Sequence, residues 1–395
     1  MLTRISPKFS LLAQLPKLTK SPKPPKFMSV GLLGSLTVLG LCSLALPGRS
    51  GGGQSLNILA SLQGDVQLQR QAWLGPFSRF QPARIGDILT ASDRLRVPSN
   101  ASARVICDNL QPWDVPANRD STVVEGCPNQ GNQKLYREDR STVSPRGPVN
   151  PDVLYLISPA HTTILNDRPT FRWHPRPQSS RSSSSSSYQV EITSADGFRW
   201  TTIVTEPLVT YTGKAPLVDS DYYLIKVSSP EQPCEDFSSN RCSVGFQLLS
   251  PDQATIVQAE INQLQTQLSG IALPMTIAYR YQALGLKQAA LETLEQAVAA
   301  NPDSPQLHQQ LGIFYHNAGL YPLAQIAYQK ALELTPATFL EDRGNLQEGL
   351  GQIAQVQGKI TIALEWFKQA KNSYEQLGDR EKQDILESNI EILER

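Results

Sequence analysis

The chain has 395 residues, too many for one ordinary core, so two or three domains are expected. Its 36 basic and 36 acidic side chains balance overall but not locally. Residues 1–46 carry Arg4, Lys8, Lys17, Lys20, Lys23 and Lys26 and no acid, whereas from residue 251 onward 17 acidic groups face 10 basic ones, a net charge of about −7. An acidic C-terminal region does not suit a phosphate backbone, so no nucleic-acid partner is expected.

The first element in chain order is the uncharged run Met28–Leu46, nineteen residues behind a basic segment (1–27). At 1.5 Å per residue it is long enough to span a hydrocarbon core as an uncleaved anchor. It also has the form of a secretory signal, with Ser43-Leu44-Ala45 as a small-x-small cleavage site. A lipoprotein signal is disfavoured because Leu41 stands where a small residue should precede Cys42. Both surviving readings put the rest of the chain outside the cytoplasm: anchored in the inner membrane and facing the periplasm, or secreted if the signal is cleaved.

Residues 47–56 read as a flexible linker. Short strands are then predicted at Ile58–Leu62, Asp65–Gln69, Arg94–Val97, Ala103–Cys107 and Ser121–Glu125, bounded by Gly, Asp, Asn and Pro. Four cysteines follow the apolar run in two local pairs, Cys107 with Cys127 and Cys234 with Cys242. In an exported chain an even count points to disulfides, and local pairing is the simplest of the three connectivities. Metal binding would need C-x-x-C spacing or clustered histidines, and neither is present. The succession Gly64-Asp65-Val66-Gln67-Leu68, Ile85-Gly86-Asp87-Ile88-Leu89 and Ala103–Asn109 resembles the periplasmic FecR-type β domain, with Asp108-Asn109 where that family has Asp-Gly. The resemblance covers 55–130 and implies a small all-β domain. It also raises the alternative of a transmembrane signal regulator, against which the 27-residue Pro- and Lys-rich segment before the apolar run has no foldable pattern.

After a second linker (128–152), strands are predicted at Arg168–Trp173, Tyr188–Ile192, Trp200–Val204, Tyr222–Val227 and Phe246–Leu249. The segment 153–249 resembles a fibronectin type III or immunoglobulin-like sandwich, in which Trp173 and Tyr223 would fill the space between the sheets. Ser179–Ser187 reads as a low-complexity loop. Exposed aromatics such as Trp73 or Trp113 raise a further alternative, stacking on cell-wall glycan.

The strongest signal is a period of thirty-four. Ala278 recurs as Gly312, Tyr281 as Tyr315, Gly285 as Gly319, Ala290 as Ala324, Ala297 as Ala331 and Pro302 as Pro336. Small residues sit where two helices approach closely, glycine ends the first helix in the left-handed region, and proline stops the second. A third copy, Gly351, Gly358, Ala363, Phe367 and Ala370, follows with five extra residues before it. This is identified as the tetratricopeptide pattern, with repeats at about 271–302, 305–336 and 344–377, a capping helix at 379–394 and an added helix at Ala254–Leu268. The family resemblance implies a concave protein-binding surface lined by the first helix of each repeat: Tyr279, Gln282, Gln309, Ile313, His316, Asn317, Glu348, Gln352 and Gln355. That surface is rich in amides and carries no Lys or Arg, so a carboxylate clamp is not expected.

His161, His174, His308 and His316 are scattered and match no nucleophile or metal motif, so no catalytic residues, metal or cofactor are expected. The reading is a multidomain α+β protein with a membrane or signal helix, two all-β domains and a C-terminal all-α solenoid over 252–395. It would be an exported bacterial envelope protein that binds a protein partner without catalysis.

Overall fold

The computed structural model describes residues 57–70, 79–128, 154–175, 187–219, 222–230 and 243–395. The apolar run 28–46, Trp73, most of the serine tract, Cys234 and Cys242 lie outside the described residues. No described helix is long and apolar enough to cross a membrane.

The first β unit holds β1 (Asn57–Gln63), β2 (Gln67–Gln69), β3 (Gln81–Pro82), β4 (Ile88–Leu89), β5 (Arg94–Val97), β6 (Ser102–Ile106), β7 (Pro112–Asp114) and β8 (Arg119–Thr122). They form two antiparallel sheets in the orders β4-β1-β6-β7 and β3-β2-β5-β8. Alternation drives the layering: Leu95 and Val97 of β5 and Ala103 and Val105 of β6 point into one shared core. Gly64 turns the chain from β1 to β2 at φ 78°, with Ala101 so close that a Cβ would lie 2.9 Å from its own. A disulfide joins Cys107 to Cys127 with Cα atoms 5.3 Å apart, the local pair expected from spacing. The strand expected at Ser121–Glu125 is corrected. β8 stops at Thr122, and Val123–Gly126 form a short helix, α1. Thr122 and Glu125 make the reciprocal bonds of a capping box, a T-x-x-E signal that overrides the β-branched composition.

The second β unit packs β10 (Thr162–Ile164), β16 (Ser243–Leu248), β15 (Tyr222–Ser228), β12 (Tyr188–Ser194) and β13 (Arg199–Val204), in that sheet order, against β14 (Leu208–Thr210), β11 (Thr170–His174) and β9 (Tyr155–Ser158). Trp173 and Tyr223 are both buried between the sheets, but not as a pair. Trp173 meets Tyr188 edge-on at 5.3 Å, while Tyr223 stacks on Phe246 at 5.4 Å. The Tyr223 hydroxyl accepts from Val218 N at 3.0 Å, tying the start of β15 to the preceding corner.

The helices are α2 (Pro251–Gln267), α3 (Ala272–Ala283), α4 (Lys287–Ala300), α5 (Pro305–Asn317), α6 (Tyr321–Leu334), α7 (Leu340–Val356), α8 (Ile360–Leu377) and α9 (Arg380–Glu394). The hairpins α3/α4, α5/α6 and α7/α8 follow the sequence period. Gly285, Gly319 and Gly358 end their first helices with φ of 75°, 75° and 72°. Gly312 admits the Tyr328 ring, whose Cδ1 a Cβ would meet at 2.5 Å, and Gly351 admits Phe367 likewise. The third repeat differs from expectation at its start: α7 begins at Leu340, not near 344. Its extra turn brings Arg343 back over the end of α6, donating to Thr335 O at 2.9 Å. The capping helix α9 buries Leu386 and Ile390 against α8.

Both β units pack onto the helices. Ala60, Ile85, Ile106 and Leu110 of the first share a core with Val257, Ile261 and Leu264 of α2 and Ala272 and Ile277 of α3. The second meets the α3–α4 turn through Thr162, whose Oγ1 donates to Gly285 O and accepts from Lys287 N, both at 2.9 Å. An N–H that α4 leaves unsatisfied at its own start is thereby bonded from another domain.

Candidate functional site

The face predicted to take a partner is built by α3, α5 and α7. Small residues on these first helices allow the second helices to come close: the ring of Tyr328 on α6 is gripped between Gly312 of α5 and Gly349 of α7. Tyr279 lies edge-on to Phe314 at 5.1 Å and donates its hydroxyl to Gln310 Oε1. Burial pushes both the Tyr279 and Tyr328 hydroxyls up, so they stay protonated as donors. Burial also lowers His316, holding its imidazole neutral, and its Nδ1 stands 3.5 Å from Tyr328 Oη. The middle of this face is thus polar but uncharged.

The nine sequence-predicted residues do not form one open groove. Gln309 is only 9% exposed, Tyr279, Gln282, Ile313, His316, Glu348 and Gln352 are half-buried, and Asn317 and Gln355 are exposed. The exposed pair sits where the first helices end, at Asn317 of α5 and one residue before Val356 of α7. The expectation of a surface without Lys or Arg is also corrected. Lys382, from the first turn of α9, donates to Glu348 Oε2 at 2.7 Å, and Glu348 accepts from Gln352 Nε2 at 3.3 Å. The capping helix folds this cation onto the third repeat, a contact across 34 positions that no repeat pattern encodes.

At the other end, where the first helices begin, the stack meets its own first β unit. Met275 of α3 is 1% exposed, and a Cβ on Gly86 would come within 2.6 Å of its Sδ and Cε. Gly86 has a φ of 92°, so the same residue supplies both the turn and the close approach. Two residues earlier, Arg84 pairs with Asp342 of α7 and lays its guanidinium over the Phe339 ring at 4.9 Å. Beside it, Arg70 reaches Glu341 Oε1 at 3.0 Å and Asp93 Oδ2 at 2.9 Å, and Gln81 Nε2 donates to Glu341 Oε2 at 3.1 Å. Residues 83–87 therefore bridge the first and third repeats at their N-terminal rim. Sequence reasoning missed all of these residues except the Gly86-Asp87 step, which it read only as a β-domain motif. The one signal that pointed here was the five-residue excess before the third repeat, which carries Glu341 and Asp342.

The second β unit adds a separate contact. Arg172 of β11 forks onto Glu295 of α4 at 2.7 and 3.2 Å, and Tyr315 of α5 donates to the same carboxylate at 2.6 Å. Trp113, expected as an exposed aromatic, is half-buried instead. Its ring fills the space over Gly126, where a Cβ would lie 1.9 Å from it. Among the described residues no three His, Cys, Asp or Glu side chains are placed to hold a metal ion.

A family profile for the tetratricopeptide repeat matches residues 305–338, the α5/α6 hairpin and the residues just after it. Solved structures similar to the chain include the N-terminal domain of stress-induced protein-1 (STI-1) from C. elegans, at 15% identity, covering 36% of this chain and 96% of that one with a TM-score of 0.26. They also include MamA from MSR-1, at 21% identity with 36% and 88% covered and a TM-score of 0.26. A second MamA, from AMB-1, stands at 21% identity with 36% and 84% covered and the same TM-score. The chain thus carries a tetratricopeptide repeat, with β sheets ahead of it and further helical hairpins on both sides.

Proposed function

We propose that this chain is a non-enzymatic scaffold of the cell envelope whose helical stack holds a segment of a protein partner. The observation that carries the reading is a tetratricopeptide repeat, followed by a further hairpin, whose polar face stays exposed where the first helices end, at Asn317 and Gln355, while its beginning is occupied by the chain's own β unit. Amides with both donors and acceptors suit hydrogen bonding to an extended or helical peptide. The envelope assignment is supported by the basic-then-apolar N-terminal sequence and by the Cys107–Cys127 disulfide, which suits an oxidising compartment. The sheet orders are compatible with a FecR-like first domain and a fibronectin-like second one, which here would brace the stack.

The test is capture from an envelope fraction by the full chain and by an Asn317→Ala/Gln352→Ala/Gln355→Ala variant. All three positions leave the helical cores intact, so a protein recovered by the parent and lost by the variant is the expected result. Equal recovery by both would sink the groove assignment. Sequencing the mature N-terminus decides between anchor and cleaved signal.

A further inference from the structure

The rim contact is unbalanced in charge. Among the described residues, two guanidiniums, Arg70 and Arg84, meet four carboxylates, Asp87, Asp93, Glu341 and Asp342. The layer is partly shielded from water: the side chains of Asp93, Arg84 and Asp342 are 1%, 14% and 17% exposed, and those of Arg70 and Glu341 27% and 23%. Arginine keeps its charge at any ordinary pH, so only the carboxylates of this layer can change charge. Asp342 faces Arg70 from the end of β2, Arg84 and Asp87 from residues 83–87, and Glu341 from its own helix. Arg343, next along α7, turns away to the Leu332 and Thr335 carbonyls. Tyr374 of α8 and Asp379 at the start of α9 lie within electrostatic reach of Glu341.

We propose that residues 83–87 form a proton-dependent latch, which holds the first β unit against the first and third repeats in mildly acidic conditions and loosens as pH rises toward neutrality. The inference stands apart from the proposed function, because it requires no partner. Burial pushes the Asp342 carboxyl up to about 7 from its ordinary 3.8, against the opposing pull of Arg84. Asp87 is raised for the same reason, in spite of the Arg70 guanidinium and the Arg84 N–H that it accepts at 2.8 Å. A carboxyl raised by docking contributes fully when both docked and released forms are protonated, below about pH 4. That contribution drains as pH rises to about 7 and is constant above it, with a slope of up to about tenfold in the docking equilibrium per pH unit for one proton.

Met275 supplies the readout, because its thioether lies under Gly86 and does not itself titrate. The full chain is treated with dilute hydrogen peroxide from pH 4.5 to 8. Sulfoxide formation at Met275 is followed by peptide mass spectrometry and normalised to the same chain unfolded in urea. The expected result is a rise in relative oxidation rate of about tenfold or more between pH 5 and 7, with a plateau above. Asp342→Asn should diminish that rise, leaving only the part that Asp87 contributes. A flat profile in the parent chain, or an undiminished rise in Asp342→Asn, would overturn the proposal. Should circular dichroism show that Asp342→Asn does not fold, Arg84→Gln decides. Loss of the opposing guanidinium should carry the rise beyond pH 7, and a rise that keeps its position overturns the latch equally.

Discussion

The two β units grip the same helices by different chemistry. The second is centred on one ion pair: Arg172 forks onto Glu295 with Glu292 within electrostatic reach, Tyr315 adds a neutral donor, and Thr162 bridges a carbonyl and an N–H at the α3–α4 turn. The first sets Arg70 and Arg84 against Asp87, Asp93, Glu341 and Asp342. What separates them is burial of the carboxylates, and only the first junction has a carboxyl moved into the neutral range. A paired carboxylate holds a domain at any pH above its own titration, whereas one raised by burial makes docking depend on protons nearer neutrality.

The comparison breaks most readily at Glu295. Replacing it by Gln leaves the Arg172 guanidinium without the anion it hydrogen-bonds while keeping the side chain's size. Both partners are about a quarter exposed, at 28% and 23%, so solvent screens part of the loss. About 2 kcal/mol is expected, below the cost of breaking a fully buried pair. Urea unfolding at pH 5 and at pH 8 should show the same loss. A loss confined to one pH would mean that this junction titrates as well, and the contrast would fail.

Thr162→Val tests the neutral part of the same junction. The substitution is close to isosteric and removes the hydroxyl that serves Gly285 O and Lys287 N. About 1–2 kcal/mol is expected, the scale of a lost helix cap plus one further hydrogen bond, again without pH dependence. If the variant is as stable as the parent, water has replaced the threonine and the turn is more open than its contacts suggest.

The repeat was legible in the sequence because its constraints are local. Glycine opposite Tyr328 or Phe367, alanines along one helix face and a left-handed cap each recur within a hairpin, so the chain repeats them after thirty-four residues and then, with five extra, after thirty-nine. The docking was not legible. Arg70 and Glu341 are 271 positions apart, and a charged residue buried between domains reads in sequence like one on a solvated face. The same blindness hid Lys382 beside Glu348. Strands of two residues such as β3 and β4 have no periodicity to detect, being defined by neighbours rather than by themselves. At Ser121–Glu125 two signals competed, β-branched composition and the T-x-x-E box, and the hydrogen bonds of the box decided the outcome. Of the predicted partner face, Tyr279 was expected open but lies against Phe314 and Gln310, because the sequence pattern does not record which neighbour covers a position.

The smallest effect is expected at Arg104, which forks onto Asp114 across β6 and β7 at 2.6 and 3.1 Å. Its geometry rivals that of Arg172 and Glu295, yet the two side chains are 49% and 71% exposed. The Arg104 hydrogen bonds hold the Asp114 carboxyl below its ordinary value, so whatever the pair contributes is present above that value and is lost only as pH falls through the lowered one. Between pH 5 and 8 the contribution is therefore constant, and water and salt screen most of it. Arg104→Ala should leave the urea midpoint unchanged within error at both pH values and at low and high salt. A measurable loss there would show that bidentate geometry stabilises this protein irrespective of burial. Burial of the carboxylates would then no longer be what distinguishes the two junctions, and the Asp342 profile would need a further cause.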